Sequence, residues 1–520
     1  MFKKKYLLLS FIVITGAILR FYALDKEGLW YDEVCSINQA THNLFSLFFG
    51  FFHDPPLYHF LLKIWMLLFG FSETAIRFLS ATIGSLSIFM AYKIARTIFE
   101  ENIALLSTSL LSLSTFHIFY SQEARYYILS FLLLLVSIYY FLKLINTYLP
   151  KYYVYLAIVN TAALLSNPLS IFIVLIEIAL LLMQRGVLKR KILMYQSIPL
   201  VIFSLWFFSV IYSILRNSDF FKLRTIQLPR PSLEALVDTF KTFNFGGLQY
   251  GGCDFKIKSA GAEHFLWTIS ILFMAFFVYG IFVALSNRYR KKGVYFILLW
   301  LFIPLAAFFL FFKRYLPRYS FISLLPYYML TAVGMAQIKY YKRSLIFLIV
   351  ILFVHPLFLY YSNPKKINWR DCIRYINDNV KTSDTIIVST AKELQLFGYY
   401  SKHGLLYDRN DALSPTSLLR GSYSMLKGPY SVKKDANYFI GIDNFSQFIL
   451  KLQEHPEIFS GDSGRSIWLV ISRWASDSEA AKVREYLIRY FSAKTEKEFW
   501  GVKVYQYTSV DKKLIGMARY

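Results

Sequence analysis

Long apolar stretches alternate with short polar ones from residue 6 to residue 362, and the pattern changes after that. Runs of about 17 to 25 apolar residues, the length that crosses a bilayer core, fall near 6–24, 75–98, 102–120, 125–146, 152–166, 168–184, 194–215, 264–286, 294–312, 318–338 and 344–362. They predict eleven transmembrane spans, with 152–166 and 168–184 separated only by SNPLS. PPLYHFLLKIWMLLFGF, 55–71, is shorter and carries His59 and Lys63. Counting it as a span inverts every later loop, so it reads as an amphipathic helix in the outer interface. VCSINQATHNLFSLFFGFF, 34–52, reads as a similar interfacial helix.

The loops give an independent check, because Lys and Arg collect on the cytoplasmic side. With the KKK start inside, the inner loops carry Lys93 and Arg96, then Lys143 and Lys151, then Arg185 with 189–191, then RYRKK at 288–292, then Lys339, Lys342 and Arg343. Every inner loop is basic. The opening MFKKKYLLLSFIVITGAILRFYAL has no small-residue cleavage site before Arg20 and many spans follow it, so it reads as a retained first helix rather than a signal peptide. The same alternation places LWYDEVCSINQA, SQEARYY, SNPLS, the 216–262 loop, KRYLPRY and everything after about 363 outside the cell membrane.

After about 363, KINWRDCIRYINDNV has the period of an amphipathic helix, while TIIVST, SIWLVIS and GVKVYQYT read as strands with the helical pattern SEAAKVREYLIRYF between the last two. Strands alternating with helices predict a soluble α/β domain. The expected architecture is thus a polytopic α-helical membrane module, 1–362, followed by an extracytoplasmic α/β domain, 363–520.

Composition agrees. Charged residues make up 17% of the chain, below the roughly 25% of an ordinary soluble domain, against 56% hydrophobic and 19% aromatic. The net charge of +25 follows from basic cytoplasmic loops and contact with anionic headgroups. Without zinc-type spacing or a recognition motif, it does not indicate nucleic acid. The three cysteines, Cys35, Cys253 and Cys372, are scattered and odd in number. They read as free packing residues, with a Cys35 to Cys253 bridge as the alternative. GGLQYGG at 246–252 lacks the strand and helix context of a nucleotide-binding loop.

Four clusters hold candidate chemistry. Asp32 and Glu33 follow the first span. They fit a solvated loop at a helix N-terminus, where carboxylates are favoured, and equally a carboxylate partly removed from water that acts as a general base. In SQEARYY, Ser121 can cap a helix whose first turn holds Glu123, but acids and an arginine at membrane depth, Glu123 and Arg125, are also functional-site candidates. In FFHDPPLYHF, Pro55 and Pro56 fix an extended entry to a helix, and His53 and Asp54 stand beside them as solvated or substrate-facing groups. KRYLPRY puts Lys313, Arg314 and Arg318 on the outer side, against the positive-inside trend. Such a cluster calls for an anion, a headgroup or a phosphate.

Together, Asp-Glu after the first span, PPLY about two dozen residues on, GFSETAIRFLSATIG, YSQEARYYIL and RYLPRYSFISLLP resemble the lipid-linked-sugar glycosyltransferases of the glycosyltransferase C fold. The branch they match includes protein O-mannosyltransferases and the aminoarabinose transferase of lipid A. The order and spacing fit across roughly 1–340, and NWRDCIRYINDN followed by a strand and FGYYSKH looks like the outer domain of prokaryotic members. The resemblance implies a polytopic enzyme that takes a sugar from a polyprenyl phosphate and passes it to an acceptor glycan, lipid or protein on the outer face. It assigns Asp32 as catalytic base with Glu33 as its neighbour, and places Glu123 near the same cavity. Basic residues at the outer interface would hold the lipid phosphate. Topology suggests Arg318, Arg314 or Lys313, with His53, Asp54 and Arg125 as further substrate-binding candidates. Two departures stand out: Asp54 occupies the place before the paired prolines where many relatives carry His or Lys, and SNPLS has Asn167 where many carry His or Tyr.

A polyprenyl phosphate leaves without being protonated, so such a site needs one base for the acceptor and cations for the phosphate. No cofactor is called for. No DxD motif lies on the outer loops, so metal-independent transfer is expected. The rival readings are a transporter or flippase, which calls for polar residues near mid-span and often a repeat, and a non-catalytic envelope assembly protein whose outer domain does the work.

Overall fold

The computed structural model describes residues 2–49, 54–183, 189–216, 231–246, 249–250, 253–254, 260–286, 289, 291–312, 315–337, 342–381, 384–389, 393–400, 431–434, 437–441, 445–454, 466–473 and 477–509. His53, Lys313 and Arg314 lie outside these, as do 217–230 and 255–259 of the 216–262 loop. The chain divides into two compact units. Unit 1 is 1–24 with 44–365, and unit 2 is 25–43 with 366–520.

Unit 1 is helical. Its elements are α1 (Phe2–Phe21), α3 (Leu44–Phe49), α4 (Pro56–Phe69), α5 (Glu73–Ile98), α6 (Glu101–Leu113), α7 (Thr115–Ser121), α8 (Tyr127–Thr147), α9 (Lys151–Leu164), α10 (Ile171–Met183) and α11 (Lys189–Arg216). They continue with α12 (Leu233–Phe245), α13 (Ala260–Leu285), α14 (Lys291–Phe311), α15 (Leu324–Met335) and α16 (Lys342–Ser362). Among the described residues, five helices are long and apolar enough to cross a membrane, and six if the bent pair α6 and α7 forms one crossing. The architecture is that of a polytopic helical membrane protein. The 14 residues of α4 rise about 21 Å, short of a bilayer core of about 30 Å.

Several apolar runs are more broken than their hydropathy suggests. The run 102–120 bends by 60° between α6 and α7, where Ser114 ends one helix and its hydroxyl accepts the His117 amide at the start of the next (3.3 Å). The carbonyls freed at the end of α6 are taken by the fully buried guanidinium of Arg20, which donates to Ser112 O (2.9 Å), Leu111 O (3.1 Å) and Gly16 O (2.7 Å). Arg20 also donates to His117 Nδ1 (2.8 Å). Since an arginine can only donate, His117 carries its proton on Nε2, which faces Ser87 Oγ at 2.9 Å. A buried cation is thus stabilised by backbone dipoles at a helix C-terminus. SNPLS becomes a 3-10 turn, Pro168–Ser170, with Asn167 Oδ1 accepting the Leu169 amide (3.1 Å). The run 318–338 opens as a 3-10 segment, Pro317–Ser323, before α15.

Close approach and polar links hold the helices together. Gly280 of α13 and Gly334 of α15 face one another, and a Cβ on either would collide with the backbone carbonyl of Leu330 or Phe276, the small-residue crossing favoured between membrane helices. Further along, α8, α9, α10 and α11 meet around the buried Glu177. Its carboxyl contacts Ser137 Oγ (2.9 Å) and accepts from Asn160 Nδ2 (3.1 Å), which also reaches Gln196 Oε1 (3.1 Å).

Unit 2 joins α2 (Tyr31–Thr41) to α17 (Trp369–Asn379), α18 (Leu394–Tyr400), α19 (Phe445–Glu454) and α20 (Asp477–Tyr490). Unit 1 contributes a short hairpin, β1 (Gln249–Tyr250) with β2 (Cys253–Asp254). Unit 2 holds β3 (Thr385–Val388), β4 (Ser431–Lys434), β5 (Asn437–Gly441), β6 (Ser466–Ser472), β7 (Phe491–Phe499) and β8 (Val502–Ser509). Its six-stranded sheet runs β4-β5-β3-β6-β8-β7. β3 is parallel to both β5 and β6, while the β6–β8, β8–β7 and β4–β5 pairs are antiparallel. β3 and β6 lie buried along almost their whole length, as continuous apolar strands should in a parallel sheet centre. Asp384 locks the two together, accepting from the Ser466 amide and Trp468 Nε1, both at 2.9 Å. Gly501 at φ +75° makes the β7–β8 turn. Cys35 and Cys372 form no disulfide among the described residues, and the side chain of Cys253 lies outside them.

Candidate functional site

Three candidate residues of unit 1, Asp54, Arg125 and Arg318, gather around Tyr126 and Tyr127. Pro55, extended at φ −61° and ψ 145°, leads into α4 with Pro56 in its first turn, a position where the missing amide costs nothing. Asp54 therefore stands just ahead of the helix. Its Oδ2 accepts Arg125 Nη1 at 2.7 Å. Arg125 lies in the short link between α7 and α8, where its amide bonds back to Glu123 O (2.8 Å).

The expected capping of a helix by Ser121 is not what the structure shows. The Ser121 hydroxyl bonds the His117 carbonyl one turn earlier (2.7 Å), a back-bond typical of serine within a helix, and α8 begins only at Tyr127. Glu123 is buried in this link. The link itself is fastened by Gln122, whose amide donates to Tyr22 O (2.7 Å) and Leu19 O (3.2 Å) and whose oxygen accepts Tyr360 OH (2.8 Å).

Arg125 lies over the rings of Tyr126 (4.9 Å) and Tyr127 (6.0 Å). Arg318 lies over Tyr127 (5.9 Å) and Tyr319 (5.8 Å). Tyr127 thus lies within cation–π reach of both guanidinium groups. The turn carrying Arg318 is fixed by the buried Tyr315, whose hydroxyl meets Thr239 Oγ1 at 2.7 Å. Asp54, Arg125 and Arg318 therefore share one aromatic setting, with Arg125 already matched by a carboxylate.

Sequence reasoning passed over His59. Its ring is buried with Nδ1 on Pro55 O (2.9 Å), it lies within electrostatic reach of Asp54 and Arg125, and its Nε2 has no hydrogen-bond partner among the described residues. The signal was present, since His59 lies four residues after Pro55 and so one helical turn away.

Asp32 and Glu33 belong to unit 2, in the first turn of α2. Asp32 is partly exposed and Glu33 is fully buried. Glu33 Oε2 accepts Lys366 Nζ at 2.8 Å and the Trp30 amide at 3.4 Å. The sequence reading missed Lys366 as well. It belongs to a Lys365-Lys366 pair that the loop alternation read from the sequence puts on the outer side, the same exception that singled out KRYLPRY. The flanks of α2 are tied to the same unit. Arg370 donates to Asp25 O (2.8 Å) and Lys26 O (3.1 Å), Tyr400 OH accepts the Leu29 amide (2.5 Å), and Asn38 Nδ2 donates to Gln395 Oε1 (2.9 Å).

A polytopic helical module with these motifs resembles in fold the glycosyltransferase C class of membrane glycosyltransferases. Solved structures agree along nearly the whole chain. ArnT from Cupriavidus metallidurans in the apo state is 13% identical over 96% of this chain and 97% of its own, with a TM-score of 0.55. The same protein bound to undecaprenyl phosphate is 14% identical over the same shares, with a TM-score of 0.57. The Archaeoglobus fulgidus oligosaccharyltransferase tethered with an acceptor peptide is 12% identical over 98% of this chain and 74% of its own, with a TM-score of 0.53. Residues 53–212 match the family described as dolichyl-phosphate-mannose-protein mannosyltransferase. No curated protein sequence matches. In sequence motifs and in fold, the chain resembles glycosyltransferase C enzymes that use polyprenyl-phosphate sugars.

Proposed function

We propose that the protein is a membrane glycosyltransferase that moves a sugar from a polyprenyl-phosphate donor to an acceptor glycan, lipid or protein on the outer face of the membrane, with inversion at the anomeric carbon. The observation that carries this reading is the agreement in fold, over 96% of the chain, with a structure that holds undecaprenyl phosphate. The family match over 53–212 supports it independently. In this reading the N-terminus is cytoplasmic, 1–362 form the membrane module and 363–520 an extracytoplasmic domain.

The chemistry divides the candidate residues by role. Asp32 takes the proton of the acceptor hydroxyl as its oxygen attacks the anomeric carbon, and the phosphate departs with the electron pair of the broken C–O bond. A positioned base contributes about 10²–10⁴-fold to such a step. The departing phosphate needs cations, and Arg318, Lys313 and Arg314, which the loop alternation puts on the outer side, supply them. Arg125 and Asp54, with His53, shape the substrate site, and Glu123 supports the acceptor side.

The test uses full-length protein in liposomes with a panel of undecaprenyl-phosphate-linked hexoses and pentoses. Transfer is expected to persist in EDTA and to fall by about 10²–10⁴-fold in Asp32→Asn while insertion and thermal stability are unchanged. Near-wild-type transfer by Asp32→Asn would falsify the assignment. Loss in EDTA restored by manganese or magnesium overturns the metal-independent step. Facilitated lipid transbilayer movement without transfer favours the flippase reading.

A further inference from the structure

The two acids that open α2 are adjacent in sequence and opposite in circumstance. Glu33 is fully buried and ion-paired with Lys366, which is itself 6% exposed. Asp32 remains partly open. Consecutive helical residues point about 100° apart, so fixing Glu33 inward fixes the direction in which Asp32 projects. A helix of 11 residues has marginal stability by itself, since nucleation is costly and few bonds follow it. Its orientation must therefore come from tertiary contacts. Unit 2 supplies them at three points along the segment. Arg370 and Tyr400 hold its approach, Lys366 its first turn and Gln395 its far end. The fit at the approach is tight enough that a Cβ on Gly28 would come within 2.8 Å of Arg370 Cβ.

We propose that Lys366 and Glu33 are positioning residues, and that the C-terminal unit governs turnover by holding the helix that presents Asp32. This rests on the reading of Asp32 as the base. It gives the outer domain a part in the reaction, and it makes Glu33 an anchor rather than a second acid at the reacting centre. The ion pair suits the task because it is directional and has no water to compete with it. A hydrophobic contact would hold α2 down without fixing its rotation.

The experiment compares wild type, Lys366→Met, Glu33→Gln and the charge swap Glu33→Lys with Lys366→Glu, all as full-length protein in liposomes. Two readouts are taken: hydrogen exchange of the 29–41 amides, and kcat and KM with whichever donor of the undecaprenyl-phosphate panel supports transfer. Lys366→Met and Glu33→Gln are expected to raise exchange across α2 and lower kcat by about 100-fold, the loss that a small misplacement of a reacting group produces, with KM for the donor within about twofold. The swap is expected to recover much of both. A merely structural pair would alter stability without separating kcat from KM.

The proposal is overturned if α2 stays protected in Lys366→Met, or if exchange rises and kcat does not fall. Should Lys366→Met fail to fold, Lys366→Arg keeps the charge but moves the donor nitrogen. Intermediate kcat then supports the proposal, and wild-type kcat with altered exchange overturns it. The exchange readout reports anchoring whether or not a donor is found, whereas an active Asp32→Asn sinks the functional reading alone.

Discussion

Each unit holds an ion pair with at least one partner from the candidate motifs, and the two are built differently. Glu33–Lys366 in unit 2 is sealed, with side-chain exposures of 0% and 5%. Asp54–Arg125 in unit 1 is open on its acidic side, at 28% against 7% for the arginine, and its cation is spread over two tyrosine rings. A sealed pair has no surface to offer a substrate, and losing either partner strands a charge away from water. An open pair can exchange one partner for a ligand anion or reorganise when the ligand arrives. In the proposed reading the contrast separates anchoring charges from binding charges, although the sequence shows only acids and bases in suggestive places.

Four substitutions break or sharpen this contrast. Asp32→Asn should have the largest effect on activity, about 10²–10⁴-fold in kcat, with no shift in unfolding temperature. Its neighbour Glu33 should lose activity only together with local order, and an Asp32→Asn protein that unfolds early would erase the distinction between them. Lys366→Met should be the most costly to stability, about 3–5 kcal/mol, read from unfolding of the purified protein in detergent. Asp54→Asn should cost less, about 1–2 kcal/mol, because a hydrogen bond to a charged group is lost at a site that water reaches. Equal losses at the two pairs would mean that the difference in exposure has no energetic meaning.

Arg318→Gln tests the open site directly. It should raise KM for the lipid donor about tenfold, the effect of losing one charge-assisted contact of about 1.4 kcal/mol, and should weaken the dependence of KM on salt. An unchanged KM would move the phosphate to Lys313 or Arg314. The smallest effect concerns packing beneath the anchored helix. Burial, reinforced by the Glu393 carboxylate, pushes the Cys372 thiol up, whereas Cys35 is half-buried with its sulfur 3.5 Å from Gln395 Oε1. In a Cys253→Ser background at neutral pH, a maleimide should label Cys35 well before Cys372, since the thiolate is the reactive form. Comparable rates would show that α17 is less tightly packed than its burial implies.

Hydropathy located the helices well but not their interruptions. The run 102–120 looks continuous because serine is tolerated in apolar helices. The break at Ser114 is decided by Arg20, which approaches from α1 and takes the carbonyls that the break releases. The 3-10 opening of 318–338 could be anticipated from Pro317, and the SNPLS turn from Asn167 before Pro168. The motif SQEAR falls on a link between helices, but the local reason differs, since Ser121 bonds backward rather than capping forward. In the sequence His59 reads only as a polar residue in a short apolar run, and Tyr127 only as part of SQEARYY.

Composition, apolar run lengths and the charge of alternate loops are local properties, so the sequence by itself determined the membrane class and the inventory of acids, cations and aromatics. The resemblance to glycosyltransferase C enzymes was also legible there, because it lies in the order of short motifs. Which acid is anchored and which is open was decided only by tertiary structure. Glu33 meets a lysine 333 residues away and Arg125 an aspartate 71 residues away. The strength and role of a charge pair depend on separation in space and on the water around it, and neither quantity can be read from position along the chain.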